Sequence, residues 1–158
     1  MKAPTPHSIR HLSTEDVSLL EALLPVFGHA FEDTQTYGGN PPAASYLLRL
    51  LASDTFIALV ALKGMEVVGG LVAYELRKFE QERSEIYIYD LAVALAHRQE
   101  GIATALIKEL EKIGAERGAY VMFVQADPPD APAIALYSKL GLREDVLHFD
   151  IPVQPKRP

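Results

Sequence analysis

The stretch from Ile86 to Ala105 constrains the fold more than any other part of the chain; it reads Ile-Tyr-Ile-Tyr-Asp-Leu-Ala-Val-Ala-Leu-Ala-His-Arg-Gln-Glu-Gly-Ile-Ala-Thr-Ala. Ile86 to Val93 is dense in β-branched, aromatic and aliphatic residues and predicts a strand. Side chains alternate along a strand, which puts Ile86, Ile88, Asp90 and Ala92 on one face and Tyr87, Tyr89, Leu91 and Val93 on the other. Asp90 is the only charge in that run. From Gly101 onward, Ile102, Leu106, Leu110 and Ile113 recur every three or four residues and predict a helix with one apolar face. It should end near Gly118, which can take a left-handed cap.

The turn between strand and helix suits an anion. The first N–H groups of a helix have no internal partner and together carry roughly half a positive charge, so the backbone from Gln99 to Thr104 offers donors to a phosphate. Arg98 adds a charge-assisted contact. Gly101 lets the backbone approach a ligand closely, and Ala103 leaves space beside it. The pattern is short, and on these residues alone it fits an ordinary surface turn as well as an anion site.

At 158 residues, nearly half of them hydrophobic, the chain is expected to form a single domain, 1–158, with residues 1–7 and 152–158 as flexible ends. No apolar run reaches the roughly 20 residues of a membrane helix, and Met1 to His7 lacks the apolar core of a signal peptide. A soluble, cytoplasmic protein is expected. The absence of cysteine excludes disulfides, thiolate metal sites and a cysteine nucleophile, and no metal site is expected. A net charge of −6 argues against nucleic acid and anionic membranes as partners and favours a cationic ligand, although a solvated acidic surface is common.

Ile9 to Leu12 predicts a first strand, and Ser13 with Asp16 an N-cap for a helix reaching about Phe31, interrupted at Pro25. Glu32 to Gly39 reads as a loop. Asn40 as cap and Pro41 in the first turn start the next helix, buried through Tyr46, Leu47, Leu50 and Leu51. Thr55 to Leu62 and Glu66 to Leu76 form a hairpin joined at Lys63-Gly64, with a bulge at Gly69-Gly70. Beyond Gly118, Tyr120 to Ala126 is a strand, Ala131 to Leu140 a helix and Leu142 to Ile151 a last strand. This order gives an α/β fold, a mixed sheet flanked by helices.

Arg98-Gln99-Glu100-Gly101-Ile102-Ala103, set between strand and amphipathic helix, resembles the acetyl-CoA-binding motif of the GNAT superfamily of N-acetyltransferases: Gln or Arg, two residues, Gly, one residue, then Gly or Ala. Ala133-Ile134-Ala135-Leu136-Tyr137-Ser138-Lys139-Leu140-Gly141-Leu142 is similar to the family's Tyr-containing helix with its leucine-glycine-aliphatic ending. The resemblance implies a GNAT fold, a mostly antiparallel sheet whose fourth and fifth strands splay around the cofactor's pantetheine arm. It also implies acetyl-CoA as cofactor, held by Leu91, Ala92 and Val93 and by Arg98, Gln99, Glu100, Gly101, Ile102, Ala103 and Thr104. Glu100 departs from the pattern, since it brings a negative charge to the pyrophosphate turn, and its side chain must point away.

Acetyl transfer to an amine needs a proton acceptor, a polarised carbonyl and a proton for the leaving thiolate. Asp90 is the one residue near the end of the central strand that can accept a proton; a carboxylate satisfied by backbone donors at a bulge is the other reading. An ordinary Asp near 3.9 facing an amine near 8 has about four pKa units to cross, roughly 5 to 6 kcal/mol, against roughly 9 for a lysine-like amine. Asp90 therefore favours an acidic amine, one crowded by other positive charges. The resemblance implies backbone donors near Leu91 and Val93 for the carbonyl and Tyr137 as the general acid. Acidic loops, Glu32, Asp33 and Tyr37, then Glu80 and Glu82, then Asp127 and Asp130, are candidates for gripping a cationic substrate. His97 and His148 fit structural or solvent roles better than catalysis.

A narrower resemblance covers about Phe27 to Ile151. Lys78 to Val93, Gly101 to Ile107, Gly118-Ala119-Tyr120-Val121 with Val124-Gln125-Ala126-Asp127, and Leu147-His148-Phe149-Asp150-Ile151 resemble the GNAT-type aminoglycoside 3-N-acetyltransferases, the gentamicin resistance enzymes. It implies direct acetyl transfer in a ternary complex to the 3-amino group of the deoxystreptamine ring, and a homodimer. Two alternatives stay open: a GNAT enzyme for another amine, such as a polyamine or a protein N-terminus, and a non-catalytic acyl-CoA-binding module.

Overall fold

A computed structural model describes residues 6–158, so residues 1–5 of the expected flexible N-terminal end lie outside the described residues. The chain divides into two compact units, one ending at Gln125 and one spanning Ala126 to Pro158.

The first unit is a five-stranded sheet in the order β1-β2-β3-β4-β5, with β1 Ser8–His11, β2 Phe56–Lys63, β3 Glu66–Arg77, β4 Ser84–Val93 and β5 Ala119–Val124. The first four strands pair antiparallel and β5 runs parallel to β4, as the mixed-sheet expectation requires. Helices α1 Val17–Ala30, α2 Thr34–Gly38, α3 Ala44–Ala52 and α4 Ile102–Arg117 complete the unit. Leu20, Leu23 and Phe27 of α1 and Leu47 of α3 pack on one face, against Phe56, Ala58, Val60 and Ala92. The opposite face packs on α4, whose Ile102, Leu106 and Leu110 are fully buried. Each such side chain contributes roughly 1.5–3 kcal/mol of burial. Buried Glu75 is satisfied by Ser84 Oγ at 2.7 Å and Arg117 at 3.0 Å, tying β3 and β4 to the last turn of α4.

Several local expectations shift. Asp16 accepts from the Ser13 N–H at 2.8 Å, and α1 then runs through Pro25 as one helix. Within the expected loop, Asp33 Oδ1 accepts from the Thr36 N–H at 3.1 Å and caps the short α2. α3 begins at Ala44 rather than Pro41, because the residue before a proline is pushed to extended backbone and Pro41-Pro42 postpones the first turn. Gly69 and Gly70 each pair across the hairpin, and the bulge expected there sits one residue earlier, at Val68, where the register shifts between Ala61 and Leu62; a Cβ on Gly70 would stand 2.4 Å from Leu23, so glycine here admits α1 to the sheet.

A further bulge lies in β4. Val72 pairs with Asp90 and Ala73 with Ile88, which leaves Tyr89 as the extra residue. It breaks the simple alternation. Ile86 and Ile88 stay buried on the α4 side, while Asp90 and Ala92 join the face of α1 and α3.

In the second unit, α5 spans Ala131–Leu140, capped by Asp130 Oδ1 accepting from the Ala133 N–H at 3.2 Å. Leu142 to Ile151 forms no strand. Its alternation is present, with Leu147, Phe149 and Ile151 all more than three-quarters exposed, but this unit holds no strand for it to pair with, and an unpaired strand has no ladder to stabilise it. No helix among the described residues is long and apolar enough to cross a membrane.

Candidate active site

The bulge aims Asp90 at α2. Tyr37 Oη donates to Asp90 Oδ1 at 2.9 Å, across 53 residues of sequence. The ring of Tyr37 is held by Phe27 at 6.0 Å and Phe31 at 5.6 Å, and the Asp33 cap sets the short helix that carries it. A Cβ on Gly28 would meet Tyr37 Cβ at 3.3 Å, so a glycine in α1 lets the two helices close together. Asp90 and Tyr37 line a cavity of about 140 Å³ with Leu20, Leu23, Val72 and Tyr74. Burial holds the Asp90 carboxyl above the usual aspartate range, opposed by the Tyr37 hydrogen bond. Burial first, and the hydrogen bond to Asp90 second, push the Tyr37 phenol far above its ordinary value, so it stays protonated and acts as a donor.

Twelve residues beyond Asp90, α4 starts at Ile102 without a side-chain cap. Gln99 at φ +63° and Gly101 at φ +79° turn the backbone through the left-handed region on either side of Glu100. The first helical bond is accepted by Gly101 from the Ala105 N–H, leaving the amides of Ile102, Ala103 and Thr104 without an intrahelical partner. Arg98 Nε donates to the Val93 carbonyl at 3.3 Å and pins the turn to the strand end. Nothing stands within 4 Å of where a Gly101 Cβ would sit.

Glu100 points away from these amides. Its Oε2 accepts from Lys63 Nζ at 2.6 Å and lies 3.8 Å from His97 Nδ1, and Lys63, first, holds its carboxyl below the usual range. The negative charge that breaks the family pattern is thus neutralised by a lysine at the end of β2, whose side chain is only 11% exposed.

Between these two places β4 loses its neighbour. β5 pairs with it only from Ser84 to Ile88, so Tyr89 to Val93 continue with no partner on that side. A strand edge of free amides and carbonyls, leading to a turn of uncapped helix amides with an open glycine, fits a ligand with an amide-bearing arm and a diphosphate, which is the chemistry of coenzyme A. Arg98 thus joins the end of the Leu91–Val93 segment to the turn that runs on to Thr104.

The acidic loops are not all brought there. Asp33 caps α2, four residues from Tyr37. Glu80 lies at the β3–β4 tip, 3.4 Å from Lys78 and 3.9 Å from Arg83. The tip is about 20 Å along β4 from Asp90 at roughly 3.3 Å per residue, so Glu80 is not brought beside that carboxylate. Asp127, Asp130 and Tyr137 belong to the second unit. There Asp130 caps α5, its N–H donates to the Asp127 carbonyl at 2.9 Å, and burial raises the Tyr137 phenol, helped by the Asp130 charge. One residue at the turn is missed in the sequence: nothing marks Lys63 among hairpin residues as the partner of Glu100.

A family model described as the acetyltransferase (GNAT) family matches residues 20–142. The structure of an aminoglycoside acetyltransferase from an uncultured soil metagenomic sample is 66% identical, covers 94% of this chain and 99% of its own, and superposes with a TM-score of 0.93. A second soil metagenomic aminoglycoside acetyltransferase, solved in complex with sisomicin and with trehalose, is 31% identical with 94% and 97% coverage and a TM-score of 0.87. N-acetyltransferase 8B of Rattus norvegicus is 27% identical over 90 residues, 57% of this chain but only 40% of that protein.

Proposed function

The chain belongs to the acetyltransferase (GNAT) family, whose cofactor is acetyl-CoA, and on that premise we propose that it acetylates the 3-amino group of gentamicin-like aminoglycosides and so confers resistance. The similarity to two aminoglycoside acetyltransferases supports the substrate class, and the narrower sequence resemblance supports the 3-amino position. The observation that carries the chemistry is Asp90: a desolvated carboxylate, oriented by Tyr37, where β4 parts from β5.

Acetyl-CoA supplies an activated acyl group. The amides of the Arg98–Thr104 turn hold the diphosphate, and the free edge of β4 orients the arm, with the Leu91 and Val93 backbone donating to the acyl oxygen. Asp90 accepts the proton that the acceptor ammonium must lose before its nitrogen forms the new C–N bond. Tyr37 keeps the carboxylate facing that proton. Burial raises Asp90, and neighbouring charges make each amine of a polycation more acidic, so both effects narrow the gap of about four units facing an ordinary aspartate. The proton that the departing sulfur needs as the C–S bond breaks is assigned by the family resemblance alone to Tyr137, a phenol that remains protonated at neutral pH.

The test is steady-state acetylation of gentamicin, kanamycin, spermidine and peptides, with the position of the new amide on the drug read by NMR. Acetyl on the 3-amino group is expected. Acetylation of the 6′-amine, or a preference for spermidine or peptides, overturns the reading.

A further inference from the structure

The bulge in β4 puts two consecutive side chains, Tyr89 and Asp90, on one face of the sheet instead of opposite faces. Tyr89 is 62% exposed, too open to serve the core, yet it is not loose. Its ring meets Tyr74 edge-on at 6.0 Å and Tyr87 at 5.6 Å, and Tyr87 lies flat on Phe123 at 4.7 Å and 7°. Tyr87 Oη donates to Gln125 Oε1 at 3.0 Å. Four rings on three adjacent strands therefore form a continuous aromatic track beginning beside the carboxylate, each ring braced by the next.

We propose that this track is a saccharide-binding subsite: it takes the apolar C–H face of the sugar linked to the acceptor ring, while Asp90 takes the amine that reacts. The inference rests on the aminoglycoside reading above. A braced aromatic surface loses little side-chain freedom on binding. An amino sugar offers two complementary features, a C–H face that packs on an aromatic ring and ammonium groups attracted to its π face. The phenol of Tyr87, anchored by Gln125, places polar atoms at the rim, where ring hydroxyls would otherwise lose their water. A plain packing role accounts for Tyr74, which also meets Phe56 at 5.7 Å, but not for an exposed Tyr89.

The test compares Tyr89→Leu and Tyr89→Phe with the parent on two acceptors, gentamicin and free 2-deoxystreptamine, which lacks the linked sugars. In Tyr89→Leu, KM for gentamicin should rise about tenfold with kcat nearly unchanged, while KM for 2-deoxystreptamine and for acetyl-CoA stays within about twofold. Tyr89→Phe, which keeps the ring, should behave as the parent. Equal losses on both acceptors, or a parent-like KM for gentamicin in Tyr89→Leu, overturn the subsite alone. Failure of the parent to acetylate either acceptor overturns the aminoglycoside reading and the subsite with it.

Discussion

The Arg98–Thr104 turn and the Asp90 end of β4 lie in one unit and are built in opposite ways. The turn presents backbone: uncapped amides, two left-handed residues and an open glycine, all within a few consecutive positions. The Asp90 end presents side chains: a carboxylate, a phenol from 53 residues earlier and an exposed ring turned by a bulge. A fixed cradle of peptide dipoles suits an invariant diphosphate, because it needs no side-chain ordering. An acceptor site assembled from side chains can be retuned one residue at a time without disturbing the cofactor.

If the two ends are separable in this way, substitutions should split cleanly between them. The largest effect is expected for Asp90→Ala, which should lower kcat by about 10²–10⁴ while calorimetry shows nearly unchanged acetyl-CoA binding; parent-like turnover removes the base assignment. Gly101→Asp should act on the other end only. It places an L residue at φ +79°, which strains the backbone by about 1–2 kcal/mol, and sets a second carboxylate beside the diphosphate. The dissociation constant of acetyl-CoA should rise about 10- to 100-fold, with kcat at saturation within about threefold.

Lys63→Met sharpens the contrast, since it leaves Glu100 unneutralised beside the anion. Acetyl-CoA affinity should fall about three- to tenfold, acceptor KM should hold, and the exchanged pair Lys63→Glu with Glu100→Lys should recover much of the loss. Weakened acceptor binding would show that the ends are coupled.

Tyr37→Phe is expected to have the smallest effect on rate and to show most clearly in the pH profile. As the proposed base Asp90 works as a carboxylate, and its raised pKa means that kcat/KM should fall with decreasing pH earlier than for an exposed aspartate. The Tyr37 hydrogen bond stabilises the charged form, so its removal should raise Asp90 further and move the acid limb to higher pH. The linkage to stability has the opposite sign to that of a salt-bridged aspartate. A folded pKa above the unfolded one gives stability that is present below the unfolded value and lost as pH rises through the folded value, so at neutral pH Asp90→Asn should melt no lower than the parent.

Residue patterns reveal the Arg98–Thr104 turn because its determinants are local. Gly101 and Gly118 bracket α4, and both are left-handed as their positions suggest. The direction of Glu100 is not readable, because it depends on Lys63, which another hairpin supplies. Asp90 stands out as the lone charge in an apolar strand, but its face does not, because the bulge is decided by how β3 pairs. The alternation of Leu142 to Ile151 is readable as a strand and yet is not one, since a strand needs a partner that a linear pattern cannot supply. Glu80 lies within reach of Lys78 and Arg83, partners that the linear pattern already places beside it.

The short parallel seam between β4 and β5 also bears on the order in which the molecule assembles. β2, β3 and β4 follow one another through short turns and can zip as hairpins, whereas β5 reaches β4 only after α4 has crossed over. That seam closes over the longer loop and joins only five residue pairs, so it is both the late step in folding and the early one to reopen. The proposed cofactor site begins where the seam ends, so acetyl-CoA bound there would fasten the least secure joint of the sheet, and amide exchange in Ala119–Val124 should slow more than elsewhere when coenzyme A is added.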